Sequence, residues 1–467
     1  MQRTVGSGSG SDMTRLTRRA VFAQAWPITV GQALVPMVGI VDAAVIGHTG
    51  DATALAGVAL GATVITLIFW TFSFLRMGVT GITSQAQGAG DTIEVMATLV
   101  RSVLLGGLIG LLLLAASPLI VPFAFDILSA SPAVAHTGKT FVHARLFGAP
   151  GALGFYAING WLLGLGRTRL ALGVQIVLNG VNIGLDLLFV WGFGLGAAGV
   201  GFGTALAEWS ALLVGLLACR RVLGPAWREQ LAGLTRCTLL ALAPMKRLIA
   251  VNTDIMIRTL ALLALFTWFA NAGSRLGAVP LAANHILMQL VSVSAFMLDG
   301  FALTAEARVG TAIGAGSGRG LKRAIRLTGE FSLAGGALFS LLIWTTGEAF
   351  VGLITHDGAT RAMASAMLPF CALIPMLGAP SWILDGIFIG ATRGKVLRNA
   401  AVAATLAYLA TDWRLRSWGN SGVWTALLAS YIYRAISLGL CLPLLLRRNA
   451  GASPTTDEPI SAVSRSA

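Results

Sequence analysis

Residues 103–125 read VLLGGLIGLLLLAASPLIVPFAF, a run of apolar and small residues without a charged side chain. The hydrocarbon core of a bilayer requires about 20 consecutive apolar residues per helix. This run therefore predicts a membrane-spanning helix. Long or nearly charge-free runs recur at 170–191, 260–269 and 427–446. We therefore predict an all-α integral membrane protein that crosses the bilayer many times.

The composition of the whole chain supports this class of protein. Of its 467 residues, 56% are hydrophobic and only 11% are charged, whereas soluble chains carry roughly a quarter charged residues. The mean hydropathy is +0.79. Length alone would suggest about three soluble domains, an interpretation that the apolar runs override. The 57 glycines are typical of transmembrane helices that pack closely.

The net charge of +14 does not indicate a nucleic-acid partner, because the basic residues are scattered through short loops between apolar segments. The four cysteines are divided between intramembrane and loop positions. They predict no disulfide framework. They are Cys219, Cys237, Cys371 and Cys441.

The apolar segments predict twelve transmembrane helices. Their expected bounds are 20–47, 54–87, 99–124, 138–166, 170–193, 198–222, 245–272, 279–314, 324–355, 362–393, 395–413 and 420–446. If the N-terminus lies inside, 24 of the 33 Lys and Arg residues fall on the inner side and three fall within spans. By the positive-inside rule, both termini are then cytoplasmic. The six expected on the outer side are Lys139, Arg145, Arg275, Arg361, Arg414 and Arg416.

The two halves of the chain repeat at a constant offset of 226 residues. Gly88 falls on Gly314 and Arg167 on Arg393 at this offset. Such a repeat predicts two pseudo-symmetric six-helix lobes with a central cavity between them, the design of a transporter with alternating access. We expect a flexible leader at 1–13, an N-terminal lobe at 14–222, a cytoplasmic linker at 223–244 that could form an amphipathic surface helix, a C-terminal lobe at 245–447 and a disordered cytoplasmic tail at 448–467.

Asp42 lies inside the first predicted helix. A charge within a span is costly and indicates function by default. Burial disfavours the charged form of a carboxyl, which makes Asp42 a candidate proton carrier. Pro36 lies on the same helix and permits a kink, so it is a candidate hinge. The alternative is a structural aspartate bonded to a neighbouring helix.

The fifth helix carries a second polar group. Asn182 and Asp186 are four residues apart and share a helix face, and Thr204 in the next helix can add a hydroxyl. These oxygens can hold a proton or a hard cation such as Na⁺. The alternative is polar contact between packed helices.

The second half carries further intramembrane charges. They are candidates for an ion or substrate site, and for Asp254 and Arg258 the equal alternative is a structural ion pair in which the two charges neutralise each other. The five are Asp254, Arg258, Asp299, Glu306 and Asp385. Trp70, Phe74 and Arg76 are weaker candidates for the substrate cavity. Aromatic rings can stack on organic cations, but more often they face lipid or pack against other residues.

No catalytic motif occurs in the sequence. A P-loop, an HExxH and a CxxC are all absent, which predicts that the protein is not an enzyme, needs no cofactor and is driven by an ion gradient rather than ATP. A membrane-embedded enzyme would need a paired nucleophile and base or a cluster of metal ligands.

Several stretches resemble the multidrug and toxic compound extrusion (MATE) family, in its DinF-like branch. The resemblance covers about residues 14–447. The stretches are QAWP (24–27), VDAAVIGH (41–48), LAGVALG (55–61), FLRMG (74–78), QAQG (85–88), NIGLD (182–186), VNTDIMIRT (251–259), LDGFA (298–302) and DGIFIGATR (385–393).

The resemblance implies a twelve-helix, two-lobe antiporter that exchanges H⁺ or Na⁺ for amphipathic, often cationic, drugs. In the DinF-like branch it implies that Asp42 is a protonation switch, grouped with Asn182, Asp186 and Thr204. In the sibling NorM-like branch, acids of the seventh and tenth helices form a cation site. Asp254 and Asp385 stand near those positions, but their surrounding motifs differ.

We therefore expect a monomeric multidrug exporter of the bacterial inner membrane, driven by H⁺. A Na⁺-coupled or mixed exporter, with Na⁺ at the cluster around Asp42, is the first alternative. A lipid-precursor flippase is the second. We expect organic cations and the lipid bilayer as partners.

Overall fold

The computed structural model describes residues 16–128, 131–225, 227–239 and 241–450, and every regular element within these ranges is helical. We number the twelve long helices in chain order, and two of them consist of two segments. They are α1 (Arg18–Gly47), α2 (Ala52–Thr71 and Phe74–Gly88), α3 (Thr92–Ile127), α4 (Pro132–Leu146 and Ala149–Gly164), α5 (Thr168–Leu187, continued by a π-helical turn at Leu188–Gly192), α6 (Gly196–Leu223), α7 (Leu242–Arg275), α8 (Ala278–Gly314), α9 (Gly318–Ile354), α10 (Gly358–Gly390), α11 (Gly394–Arg414) and α12 (Asn420–Ala450).

The twelve predicted helices are all present, with ends that differ by a few residues. Within the described residues, ten helices are long and apolar enough to cross a membrane, and the two halves of α4, which meet at a bend of 52°, give an eleventh. Helix α11 falls outside that criterion because Lys395, Arg398 and Asp412 lie among alanines of modest hydropathy. Helix α3 begins seven residues before the predicted start at 99, since it continues past its apolar part into Thr92 and Glu94.

The predicted termini and linker are only partly within the described residues. The leader at 1–13 and residues 451–467 of the tail lie outside them. Helix α12 continues to Ala450, three residues beyond the predicted lobe boundary. The linker contains two short helices, Trp227–Ala232 and Arg236–Leu239, instead of one amphipathic helix.

Helix packing follows the repeat. Helix α1 packs on α5 as α7 packs on α11, and α2 packs on α4 as α8 packs on α10. Glycines allow the closest approaches. A Cβ atom at Gly160 would overlap the carbonyl oxygen of Arg76, and one at Gly386 would overlap that of Ala302. Both residues of the second pair lie 226 positions after those of the first, so the two lobes share one packing geometry.

The lobes meet where α2 crosses α8. A Cβ atom at Gly88 would overlap the carbonyl oxygen of Thr311, and one at Gly314 would overlap that of Gln85. These two approaches are again related by the 226-residue offset. The pseudo-symmetry axis therefore passes between α2 and α8, at the ends of both helices. We call this side the linker face, because α6 ends and α7 begins there.

Side chains close the linker face around the same crossing. Gln85 donates from Nε2 to the carbonyl oxygen of Gly390 (2.8 Å) and to Oγ1 of Thr392 (3.2 Å). Arg247, near the start of α7, donates to the Gln85 side-chain oxygen. Residues of α2, α7 and the α10–α11 turn thus join the two lobes at this end.

Candidate functional site

Asp42, Asn182, Asp186 and Thr204 meet in the N-terminal lobe, and we call them the acid cluster. None is more than 5% exposed. Asn182 donates from Nδ2 to Oδ2 of Asp186 (2.9 Å) and to Oγ1 of Thr204 (3.0 Å). Thr204 in turn donates to the carbonyl oxygen of Val200 (3.0 Å). Asn182 and Asp186 lie side by side because four-residue spacing stacks side chains on one helix face.

The carboxyls of Asp42 and Asp186 lie close enough to interact with each other, and Asp42 also interacts with Asn182. Two carboxyls can bond only if one of them carries a proton, and two like charges cannot both be sustained at such a distance in a buried site. Among the described residues, Oδ1 of Asp42, Oδ1 of Asn182 and Oδ1 of Asp186 are buried without a hydrogen-bond partner. The cluster can therefore accept a proton or present oxygens to a small cation.

The neighbouring helices are shaped to bring these side chains together. Gly203 of α6 faces Asp186, and a Cβ atom there would overlap Oδ1 of that aspartate. One turn before Asn182, Asn179 donates to the carbonyl oxygen of Leu34 in α1 (3.1 Å). Helix α5 is thus bonded to α1 near position 36. The side chain of Pro36 itself lies outside the described residues, and the hinge remains a prediction.

Arg145 and Glu208 form a buried ion pair beside the acid cluster, which sequence reasoning missed. Their side chains are 11% and 8% exposed. Arg145 donates to both carboxylate oxygens of Glu208, at 2.5 and 2.6 Å, and also interacts electrostatically with Asp42. The sequence predicts Arg145 among the residues of the outer segments, but its side chain is buried in a helix. It lies within α4, where the carboxylate of α6 offsets the cost of burying its charge.

The charges of the second half form different pairs from the one expected. Arg258 pairs with Asp385 of α10, and Asp254 pairs with Arg398 of α11 at 2.8 Å. The Asp254–Arg258 pair is therefore replaced by two inter-helix pairs, because each side chain meets its partner on another helix. Arg434 lies 3.7 Å from Asp385 and donates to Ser381 (2.9 Å).

A second group of charges lies between the lobes. Gln32 of α1 donates to Asp299 of α8 (3.4 Å), and Glu306 of α8 is 1% exposed. Arg76 and Arg258 interact electrostatically with both acids. Within the described residues, Nη1 of Arg76 and Oε1 of Glu306 are buried without a hydrogen-bond partner. We call Arg76, Arg258, Asp299, Glu306, Asp385 and Arg434 the inter-lobe charges.

The remaining predicted residues are not brought into this group. Phe74 is 6% exposed and packs against Phe72 where α2 is broken, with ring centroids 5.8 Å apart. Trp70 is 45% exposed. In the described part of the chain, no three His, Cys, Asp or Glu side chains are grouped as metal ligands.

Comparisons with known proteins agree with this architecture. A family profile described as MatE matches residues 27–188 and 255–413. The "DNA damage-inducible protein F" of Escherichia coli (strain K12) is 35% identical over 434 residues, covering 90% of this chain and 91% of that protein. A "Probable multidrug resistance protein NorM" of Acinetobacter baylyi is 26% identical over 458 residues, covering 93% and 97%.

Solved structures show the same fold. One described as "Crystal structure of MATE in the bent conformation" superimposes with a TM-score of 0.84 at 17% identity, over 95% of this chain and 99% of that one. Another, "Outward-facing conformation of a multidrug resistance MATE family transporter of the MOP superfamily", gives a TM-score of 0.83 at 17% identity, over 95% and 99%. The two-lobe fold predicted from the sequence is confirmed. The chain therefore belongs to the MATE family, in its DinF-like branch, and is a transporter and not an enzyme.

Proposed function

We propose that this transporter is an antiporter that expels amphipathic, cationic organic compounds in exchange for external H⁺. We place it in the bacterial inner membrane as a monomer, with both termini and the linker face in the cytoplasm. The excess of basic residues in the loops of that side supports the orientation.

The contact between Asp42 and Asp186 carries the proposal. When the pair holds a proton, its two carboxyls can bond to each other. When the proton leaves, a buried site gains a negative charge, and Arg145, the base that acts on it among the described residues, is already paired with Glu208. That charge favours a cationic substrate, and its removal by external H⁺ favours release.

Helix α1 couples protonation of the acid cluster to a conformational change in our proposal. Asp42 lies on α1 six residues after Pro36, and Asn179 of α5 is bonded to α1 at Leu34. A change in how Asp42 bonds to α5 would therefore act on the segment that we expect to bend. Bending of α1 would alter its contact with α8, where Gln32 meets Asp299.

We place the substrate against the inter-lobe charges. Three of them are acids and three are arginines, and Glu306 and Arg76 each have a buried polar atom that no described residue bonds. An amphipathic cation could pair with Glu306 or Asp299 while its apolar part lies against neighbouring helices. Alternating access would then expose this group to each side in turn.

Na⁺ is the second candidate for the coupling ion. The three unbonded oxygens of Asp42, Asn182 and Asp186 are of the kind that bind hard cations. The proton is favoured because Asp42 and Asp186 lie close enough to interact with each other, which requires no metal.

Dye efflux from proteoliposomes tests the proposal. We expect a pH gradient alone to drive efflux of a lipophilic cationic dye, and we expect Asp42→Asn to abolish it. Asp126→Asn is the matched control, because Asp126 is an exposed acid of the same lobe and its loss should leave efflux unchanged. Efflux driven by Na⁺ alone, or full activity in Asp42→Asn, would contradict the proposal.

A further inference from the structure

A basic pocket opens where α6 ends and the linker begins. Its volume is about 650 Å³, and its lining includes Arg220, Arg221, Arg228, Trp227 and Leu217. It lies at the linker face, beyond the last turns of α6, and the proposed transport cycle does not use it. We call it the linker pocket.

The arginines are held around one aromatic ring. The guanidinium carbons of Arg220 and Arg228 lie 5.1 and 5.5 Å from the centroid of the Trp227 ring. Gly224 has a φ of +74°, which lets the chain turn sharply between α6 and the linker helix Trp227–Ala232. Arginines from the last turn of α6 and from the linker helix therefore reach the same space.

The arginines of the linker pocket hold positive charge that no described residue neutralises. Within the described ranges, Arg220, Arg221 and Arg228 form no ion pair with an acid. The linker helix also carries an acid, Glu229, in its first turn. Three guanidinium groups next to one carboxylate leave an excess of donors suited to a phosphate group.

The flank of the pocket is apolar and outward-facing. Leu213 and Leu217 of α6 are each 61% exposed and Leu216 is 40% exposed. In a transmembrane helix such side chains contact lipid tails. Trp227 stands at the end of the span, the level at which tryptophans concentrate at the membrane–water interface. The pocket thus combines a site for an anionic headgroup with a surface for acyl chains.

We propose that the linker pocket binds the phosphodiester headgroup of an anionic phospholipid, such as phosphatidylglycerol, from the adjacent leaflet. Inorganic phosphate shares the charge chemistry but makes no use of the leucine flank. The leaflet is the cytoplasmic one if the orientation proposed above holds. Basic pockets at this level of a membrane protein are suited to anionic lipids.

The bound lipid would fix the linker to the bilayer at its first part. Its last part is already held by α3, because Arg101 donates to the carbonyl oxygens of Thr238 (2.5 Å) and Leu239 (3.0 Å). The segment that joins the two lobes would then be fixed at both ends, once by the protein and once by the membrane.

Native mass spectrometry of the full-length protein tests this proposal. The protein is equilibrated with phosphatidylglycerol or phosphatidylcholine, each with and without inorganic phosphate. We expect preferential retention of phosphatidylglycerol, weakened about 100-fold in Arg220→Gln/Arg221→Gln/Arg228→Gln, at roughly a factor of five per charge. The charge-matched control is Arg319→Gln/Arg447→Gln/Arg448→Gln, which removes three exposed basic residues of the same face and should retain the lipid.

Equal loss in both triple variants, equal retention of the two lipids, or full displacement by millimolar phosphate would overturn the proposal. The single variant Arg228→Gln is measured as well, so that a folding defect in the triple variant does not decide the result. Dye efflux is recorded on the same preparations in phosphatidylcholine. Proton-driven efflux without lipid preference would reject the lipid site alone, and lipid preference without efflux would reject the transport proposal alone.

Discussion

The two lobes share one helix packing geometry but differ in the side chains at the positions of the acid cluster. At the 226-residue offset, Asp42 corresponds to Trp268 and Asp186 to Asp412. In the N-terminal lobe an acid therefore meets an acid. In the C-terminal lobe, Trp268 donates from Nε1 to Oδ2 of Asp412 (2.9 Å) and Arg275 forms an ion pair with that same oxygen (3.0 Å).

The other members of the acid cluster differ in the same way. Asn182 corresponds to Tyr408 and Thr204 to Ser430. Tyr408 is fully buried, and Ser430 donates to the carbonyl oxygen of Leu427 (2.6 Å) in its own helix. The C-terminal lobe thus holds its acid with an indole N–H and a guanidinium group, whereas Asp42 and Asp186 of the N-terminal lobe face each other. The two repeats therefore share their helix packing, and a few side chains at equivalent positions give each lobe a different polar group.

A third position shows reversed charge. Glu208 corresponds to Arg434. Glu208 has Arg145 as its ion-pair partner, while Arg434 shares Asp385 with Arg258. The N-terminal lobe therefore depends on a single pair, and the C-terminal lobe has a second arginine at the same acid.

The largest expected difference between the lobes is in transport. We expect Asp42→Asn to reduce proton-driven efflux to the background of empty liposomes, because the carboxyl pair that shares a proton is then broken. Trp268→Phe, at the equivalent position, should retain most of the activity, since Arg275 still neutralises Asp412. Efflux lost equally in both variants would mean that coupling is not confined to the N-terminal lobe.

Loss of an arginine from the ion pairs at the reversed-charge position should destabilise the two lobes to different extents. We expect Arg145→Met to lower the free energy of unfolding by about 3–5 kcal/mol, because it leaves Glu208 buried without a partner. Arg434→Met should cost less, since Asp385 keeps Arg258. Thermal unfolding in detergent measures both. The double variant Arg145→Met/Glu208→Met should recover most of the loss, and a failure to recover would show that packing rather than charge determines the effect.

Substitution of the equivalent glycines at the crossing of α2 and α8 should destabilise the protein equally in both lobes. Gly88→Ala and Gly314→Ala each place a methyl group against a backbone carbonyl of the other lobe. We expect each to cost about 1–3 kcal/mol in unfolding free energy, as overpacking does. The two values should agree within error in the same thermal assay. A clear difference between the two values would show that the two contacts between α2 and α8 differ in energy although their geometry is symmetric.

The smallest expected difference in stability is at the N-terminus of the fourth helix of each lobe, α4 and α10. Asp357 caps α10 by accepting from the backbone N–H of Thr360 (2.8 Å), whereas its equivalent Ser131 makes no such bond to α4. Asp357→Ala should therefore lower the unfolding midpoint more than Ser131→Ala.

The effect of Asp357 should also depend on pH. Hydrogen bonds from the Thr360 side chain and backbone hold the pKa of Asp357 below its usual range. A lowered pKa in the folded state stabilises at neutral pH, and the contribution is lost as the pH falls from about 4 through the lowered value. The difference between wild type and Asp357→Ala should therefore shrink at acidic pH. A constant difference would contradict the capping role of the charge.

Much of the fold follows from local sequence. Hydropathy predicts the helices, and the repeat predicts the lobes, because both are recorded in runs of neighbouring residues. Part of the acid cluster also follows, since Asn182 and Asp186 are one helical turn apart. Helix α11 is less evident because its charges face partners on other helices.

The ion pairs could not be predicted in the same way. Arg145 and Glu208 are 63 residues apart, and Arg258 finds Asp385 on a distant helix. Such partners depend on which helix faces touch, which hydropathy does not record. The repeat carried one unused signal, since Asp186 and Asp412 coincide at the 226-residue offset.

The crossing of α2 and α8 has a consequence for the way the linker face opens. At Gly88 and Gly314 backbone lies directly on backbone, and such contacts cannot stretch as the nearby bonds of the Gln85 and Arg247 side chains can. The two contacts are related by the pseudo-symmetry axis, so we expect them to break together. We therefore expect the linker face to change between a closed and an open conformation in a two-state manner, with short-lived intermediates.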